Sequence, residues 1–470
     1  MKPLRHLRFI LTVLSLSVPL LSAHSQSFHV DTVAHRGPLS KMINLVFMGD
    51  GYTEAELPAY SGNVQDFVNG IFSQTPFKEY INYYNIFAID VISNQSGVSH
   101  PRNTADSDCS GVPKTTVDNY FGTTFDTNGI HRLLAPVNYI AAFNVLNTHL
   151  PSYDQVFIIA NTSYYGGSGG TFATASTHTS ANEVAVHEIG HSFAGLADEY
   201  WAGAGYAAEK PNMTKESSTG KVKWKGWLNI GNIGIYPHSE DPSWKRPHQN
   251  CKMRFLNVPF CNVCREAFVE RVHDLVNPVA AYSPLESSVS VESGDLEFSV
   301  STIDPVPNTL RIIWSKNDTV VSRNTKVISV APSTVRSSAI VKAELSDTTS
   351  LSKSAAHSSS HVRVITWTLQ KGDVITSVEP HESNYKLSVS PNPAGENLHV
   401  SYYLSDAGPV RLELRDLTGR RMKSILHEKQ PSGQYDLDLT ASELNMSATG
   451  VYLLTLSVNG TTITERIVRH

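Results

Sequence analysis

The chain has 470 residues, 40% of them hydrophobic and 17% charged, a length that calls for about three domains of ~100–200 residues and a composition that folds rather than staying disordered. Thirty-eight basic against 43 acidic residues leave a formal net charge of −5, which offers no field to hold a polyphosphate backbone and excludes nucleic acid as an expected partner.

Residues 1–25 read as an export signal. Lys2, Arg5 and Arg8 precede an apolar run over 9–21, and Ala23 and Ser25 supply a small-residue cleavage site before Gln26. The run is short of the ~20 residues a bilayer-crossing helix needs, and no later stretch reaches that length, so no membrane span is expected. Export implies an oxidising compartment, where Cys109, Cys251, Cys261 and Cys264 are disulfide candidates with three possible connectivities. The spacing His248-x2-Cys251-x9-Cys261-x2-Cys264 keeps a second reading open, that of a closed tetrahedral zinc knuckle.

Residues 26–277 have the texture of an α/β layer. Apolar runs at 43–48, 85–92 and 153–160 read as buried strands, with a helix between 53 and 80. The glycine-rich segment 164–170 breaks the pattern as a backbone-exposing loop, 171–177 reads as a short exposed edge strand, and a helix follows over 181–194. Over 278–370, short β-branched and aromatic runs at 296–300, 309–314 and 361–369 imply an Ig-like β-sandwich, with the Ser/Thr-rich stretch 346–360 as a mobile loop. The polar segment 371–384 is a linker, and runs at 398–404, 410–415 and 451–458 place a second β-sandwich at 385–470.

One segment carries chemistry: Val186-His187-Glu188-Ile189-Gly190-His191, on the expected helix. Four helical residues turn through about 400° and rise ~6 Å, so His187 and His191 share a face and can grip one ion. Glu188 beside them can take the proton of a water whose pKa the ion has lowered toward ~7. Catalytic zinc takes a third protein ligand and keeps one position open. Gly195 can end the helix and turn the chain back, which returns Asp198 as third ligand, with Glu199 as its nearest competitor. A later helix offers Glu266 or Glu270 as an alternative third ligand. His35 and His178 are left as exposed or satisfied side chains.

The pattern resembles the metzincin motif HExxHxxGxxH, with glycine and third ligand each one residue later and a carboxylate in place of the last histidine. Together with Met48-Gly49-Asp50-Gly51-Tyr52-Thr53, the loop Tyr165-Gly166-Gly167-Ser168-Gly169-Gly170, Trp201, Cys251-Lys252-Met253-Arg254 and Phe260-Cys261-Asn262-Val263-Cys264, residues 42–270 resemble the IgA-peptidase family of zinc metallopeptidases. The resemblance implies a secreted zinc endopeptidase with a metzincin-like catalytic domain followed by β modules. It also implies a Met-turn at Met253. Tyr200 and Glu199, next to the third ligand, are candidates for an oxyanion or supporting role. One catalytic Zn2+ is the expected cofactor, with structural Ca2+ as a further candidate. The expected partner is a protein or peptide substrate, and the expected state is a monomer.

The segments 387–394, 414–420 and 450–456 are similar to a type IX secretion sorting domain. That resemblance implies contact with the type IX machinery and release or attachment at the cell surface through the outer membrane. The competing functional class is a surface adhesin whose β modules bind a glycan or host protein and whose HExxH segment is degenerate.

Overall fold

The structure is a computed structural model that describes residues 27–104, 111–292, 294–355, 357–371, 385–416, 421–446, 450–459 and 461–469. The expected signal segment, Cys109 and linker residues 372–384 lie outside the described residues. The chain divides into two compact units, residues 1–371 and 372–470.

The first unit is built on a six-stranded mixed sheet. Its strands are β1 (Val30–Ala34), β2 (Ile43–Asp50), β3 (Tyr84–Ile89), β4 (Gln155–Ala160), β5 (Gly167–Ser168) and β6 (Ala173–Ala175), with helices α1 (Leu57–Phe72), α2 (Tyr139–His149), α3 (Ala181–Ser192) and α4 (Asn262–Leu275). The strand order is β1-β3-β2-β4-β6-β5, with β3, β2, β4 and β6 parallel and the two edge strands antiparallel to their neighbours. Parallel strands covered on both faces read as continuous apolar runs, and every residue of β2, β3 and β4 is buried. Alternate residues of β2 feed different cores: Ile43, Leu45 and Phe47 join the cluster with α1, α3 and α4, and Val46 and Met48 join the one with α2.

Three sequence expectations change here. The helix expected over 53–80 is confined to α1, because Thr53 and Glu56 form a capping box ahead of it and the chain after Phe72 runs through turns to Tyr80. The exposed edge at 171–177 is not found. β6 is fully buried and paired on both sides, and the edge of the sheet is β5, next to Gly169. The reason is that the glycine-rich segment folds back as a strand instead of looping away.

The third change concerns the β module. Two sheets, one of five strands and one of three, enclose a core with Trp314, Trp367 and Phe298, which is a sandwich. The stretch 346–360 is not simply a mobile loop: Ser346 and Asp347 end the strand Ser338–Asp347, and His357–Ser360 forms a helical turn with His357 buried. Asp347 explains why. Its carboxylate accepts hydrogen bonds from Tyr80 Oη at 2.6 Å and His273 Nε2 at 3.0 Å, and from Thr309 Oγ1 at 2.6 Å and the Thr349 amide at 2.9 Å. The first two donors belong to the α/β layer and the last two to the β module, so one buried acceptor joins the halves.

Burial disfavours charge on Asp347, but the bonds from His273, Thr309 and Tyr80 hold its pKa at about 2. An unfolded aspartate titrates near ~3.9, so the lowered folded value contributes on the order of 2 kcal/mol above about pH 4, lost as pH falls toward about 2. Urea unfolding of wild type and Asp347→Asn is therefore expected to show a stability gap at about pH 5 that closes toward about pH 2. A gap constant over that range would refute the linkage.

The second unit is a β-sandwich of a three-stranded and a four-stranded sheet. Leu398, Val400, Tyr402, Val410, Leu412, Leu454 and Leu456 meet between them, alternating along the strands with exposed or half-buried residues except at the buried Glu413.

Candidate active site

The HExxH segment occupies the last turns of α3, whose buried face of Ala181, Val184, Ala185 and Ile189 anchors it in the core. His187 and His191 therefore project together into a cleft of about 980 Å³. After Ser192 the helix stops, and Gly195 takes φ +63, the left-handed conformation that turns the chain back, while the Leu196 amide donates to Gly190 O at 2.9 Å. The returning segment brings Asp198 beside both histidines.

Asp198 Oδ1 lies 3.0 Å from His187 Nε2 and 3.3 Å from His191 Nε2, and the two Nε2 atoms are 3.2 Å apart. Each Nδ1 is already committed: His187 Nδ1 donates to Lys252 O at 2.9 Å and His191 Nδ1 to Leu196 O at 2.8 Å. Backbone acceptors on Nδ1 fix the ring orientation and leave the Nε2 lone pairs for a ligand. Donor atoms on one tetrahedral ion with bonds of ~2.05 Å lie about 3.3 Å from one another, close to the spacing of these three atoms. The donor set fits a single zinc-sized ion.

The close approach of these groups also shows in their titration. Burial opposes charge on Asp198, but hydrogen bonds from His187 and His191 hold it well below the usual carboxylate range. Burial also opposes charge on His191, yet Asp198 and then Glu188 carry its pKa up to about 9. Glu188 is raised, chiefly by burial, against the pull of the two histidines.

The floor beneath the histidines is the turn around Met253. A Cβ on Gly190 would meet Met253 Sδ at 2.7 Å, so the thioether fits only because residue 190 has no side chain. The turn is held by the ion pair of Lys252 with Glu183 on α3 and by the Glu199 amide donating to Met253 O at 2.7 Å. Above the site, a Cβ on Gly169 would stand 2.7 Å from both Glu188 Oε2 and His191 Cβ, so the backbone next to β5 passes directly over the Glu188 carboxylate.

The remaining candidates fall in different places. Tyr200 lines the cleft, its pKa raised well above normal by burial and then by the charge of Asp198. Glu199 does not join it: its Oε1 accepts from Asn212 Nδ2 at 3.2 Å and lies 3.2 Å from Cys264 Sγ, on the other side of the chain. Glu266 accepts from Trp227 Nε1 and the Lys353 amide, and Glu270 from Ser352 Oγ with His357 beside it, so neither faces the histidine pair. His178 Nδ1 accepts from the Ser180 amide, and His35 is exposed.

The disulfide expectation fails for three of the four cysteines. Cys251, Cys261 and Cys264 are free, with Cys264 Sγ 3.6 Å from each of the other two sulfurs, whereas a disulfide needs ~2.05 Å. His248 is not in their cluster: its Nδ1 accepts from the Asn250 amide. Arg132 was not anticipated. It lines the cleft and acts on both Glu188 and Tyr200, but a lone arginine far upstream of the motif carries no local signal.

No curated protein matches the chain. Among solved structures, latent PorU from Porphyromonas gingivalis is 12% identical over 41% of this chain and 20% of its own, with a TM-score of 0.18. The Hoc domains of bacteriophage RB49 are 9% identical over 40% of this chain and 68% of theirs, with a TM-score of 0.15. Bacteroides uniformis β-glucuronidase 3 is also 9% identical, over 48% of this chain and 28% of its own, again with a TM-score of 0.15. The chain thus spans a fifth of PorU and about a quarter of the glucuronidase, and scores this low carry no argument.

The family models are more informative. Residues 32–242, which include His187 to Tyr200 but not Met253 or the three cysteines, match IgA Peptidase M64, and residues 388–470 match a secretion system C-terminal sorting domain. The chain accordingly carries an IgA peptidase M64 domain followed by a type IX sorting domain that marks it as a secreted or surface-attached protein delivered through the outer membrane.

Proposed function

We propose that the protein is a zinc-dependent endopeptidase of metzincin-like architecture, with His187, His191 and Asp198 as metal ligands and Glu188 as general base. The observation that carries this reading is the convergence of two Nε2 atoms and one carboxylate oxygen, at 3.0–3.3 Å, beside a half-buried glutamate in an open cleft. Bound zinc would supply a Lewis acid for the scissile carbonyl and a water of lowered pKa.

The chain's own groups do the rest. Glu188, its pKa raised by burial against the pull of its histidine neighbours, accepts the water proton and returns it to the leaving amine, as a carboxylate with a raised pKa can do in both directions. Tyr200 and Arg132 stand on the cleft wall, where they can donate to the oxygen that gains charge. An extended peptide would run past β5 at Gly169 and Gly170, where the missing side chain at Gly169 lets its backbone approach Glu188.

The test is proteolysis of unfolded casein by the purified protein, read as product mass spectra. Cleavage abolished by a chelator and restored by added zinc is expected. A blank result with zinc bound would favour a binding protein with an inert HExxH segment.

A further inference from the structure

Beyond the histidine centre, a second cluster of metal-type donors lies behind the returning segment. Cys251, Cys261, Cys264 and Glu199 are all buried, with Glu199, Cys251 and Cys264 at 0% exposure. Cys264 Sγ is 3.6 Å from Cys251 Sγ, 3.6 Å from Cys261 Sγ and 3.2 Å from Glu199 Oε1, and Cys261 Sγ is 3.9 Å from the same oxygen.

These spacings discriminate between explanations. They exceed a disulfide by more than an ångström, and three thiols cannot all pair with one another. With Zn–S bonds of ~2.3 Å and a Zn–O bond of ~2.0 Å, the edges of a tetrahedron are about 3.8 Å between sulfurs and about 3.5 Å between sulfur and oxygen. The sulfur–sulfur contacts of 3.6 Å lie just under the first value, and the sulfur–oxygen contacts of 3.2 and 3.9 Å bracket the second.

The carboxylate adds an independent observation. Glu199 Oε2 is buried and has no hydrogen-bond partner, which a protein tolerates poorly unless something occupies the site. Arg246 Nη1 donates to the backbone carbonyl of Glu199 at 3.0 Å, not to its carboxylate. The Cys261 amide donates to Cys251 Sγ at 3.3 Å, and Cys261 stands at the N-cap position of α4, which carries Cys264 one turn on.

We infer that Cys251, Cys261, Cys264 and Glu199 form a closed, structural, zinc-type metal site separate from the catalytic centre. Binding replaces the three thiol protons, which pass to solvent, with one divalent ion, and no redox change is involved. Occupancy also keeps the thiols from oxidising after export. The site staples α4 and the Met253 turn to residue 199, the neighbour of Asp198, so it positions the third ligand of the catalytic ion from behind.

The experiment is metal analysis of the purified protein with cobalt substitution as a second readout. Two zinc per chain are expected in wild type, one in His191→Ala, and one in Cys264→Ser. The cobalt-loaded wild type should show thiolate-to-cobalt charge-transfer absorption, which His191→Ala retains. If Cys264→Ser fails to fold, the wild-type stoichiometry and the His191→Ala spectrum still decide. A single equivalent in wild type that His191→Ala removes, a cobalt spectrum without thiolate bands, or a disulfide mapped among the three cysteines would overturn the inference. Failure of the hydrolytic reading looks different: His191→Ala would then leave metal content unchanged.

Discussion

Replacing Glu188 by glutamine is expected to lower the rate of peptide hydrolysis by roughly 10²–10⁴-fold or more, the range of positioned acid–base catalysis, while zinc stays bound. The geometry explains the separation of effects. Glu188 shares the helix with both histidines, but its carboxylate is turned toward the overlying Gly169 backbone. The three atoms that converge come from His187, His191 and Asp198. Glutamine keeps the shape and loses the basic oxygen, so kcat should fall with little change in KM. Metal content measured on the same preparation guards against trivial loss of the ion. Wild-type turnover by the variant would remove Glu188 from the mechanism.

The second large effect is expected at Asp198. Asp198→Ala removes the one carboxylate that touches both imidazoles, so zinc affinity should fall by more than the ~10–100-fold that loss of an outer-sphere partner costs. Competition with a chromophoric chelator would measure it. Glu199→Ala should act differently, loosening the structural cluster behind the site, and with it the hold on Asp198, without removing a donor atom from the histidine centre. Retention of wild-type affinity in Asp198→Ala would move the third ligand elsewhere. Glu266 and Glu270 are poor replacements, because both are spent on partners near Ser352 and Lys353.

Much of the site is local and was therefore readable. Two histidines four residues apart on an apolar-faced helix must share a face, whatever the rest of the chain does. Gly195 could be assigned its turn because few other residues accept positive φ. The buried strands β2, β3 and β4 announced themselves as unbroken apolar runs, which only a doubly covered parallel sheet requires. The start of that helix near the capping box of Thr53 and Glu56 was legible in sequence, but its end at Phe72 was not, because the apolar pattern runs on past it.

What depended on distant pairing was not readable. Asp198 and Glu199 are adjacent carboxylates with equal claims in sequence. The bond from the Glu199 amide to Met253 O sets the chain so that one faces the histidines and the other the thiols. The edge of the sheet was misplaced because strand order is a property of partners, and β5 joined β6 from outside. The cysteines were read first as disulfides, from compartment, with a zinc knuckle that included His248 kept open from their spacing, whereas the sulfur separations and the absence of His248 from the cluster are tertiary facts. Sequence thus determined the chemistry a single helix can carry, since neighbours along a helix are neighbours in space. Tertiary structure decided which of two flanking acids faces the histidines and which faces the thiols, because those choices are made by residues more than fifty positions away.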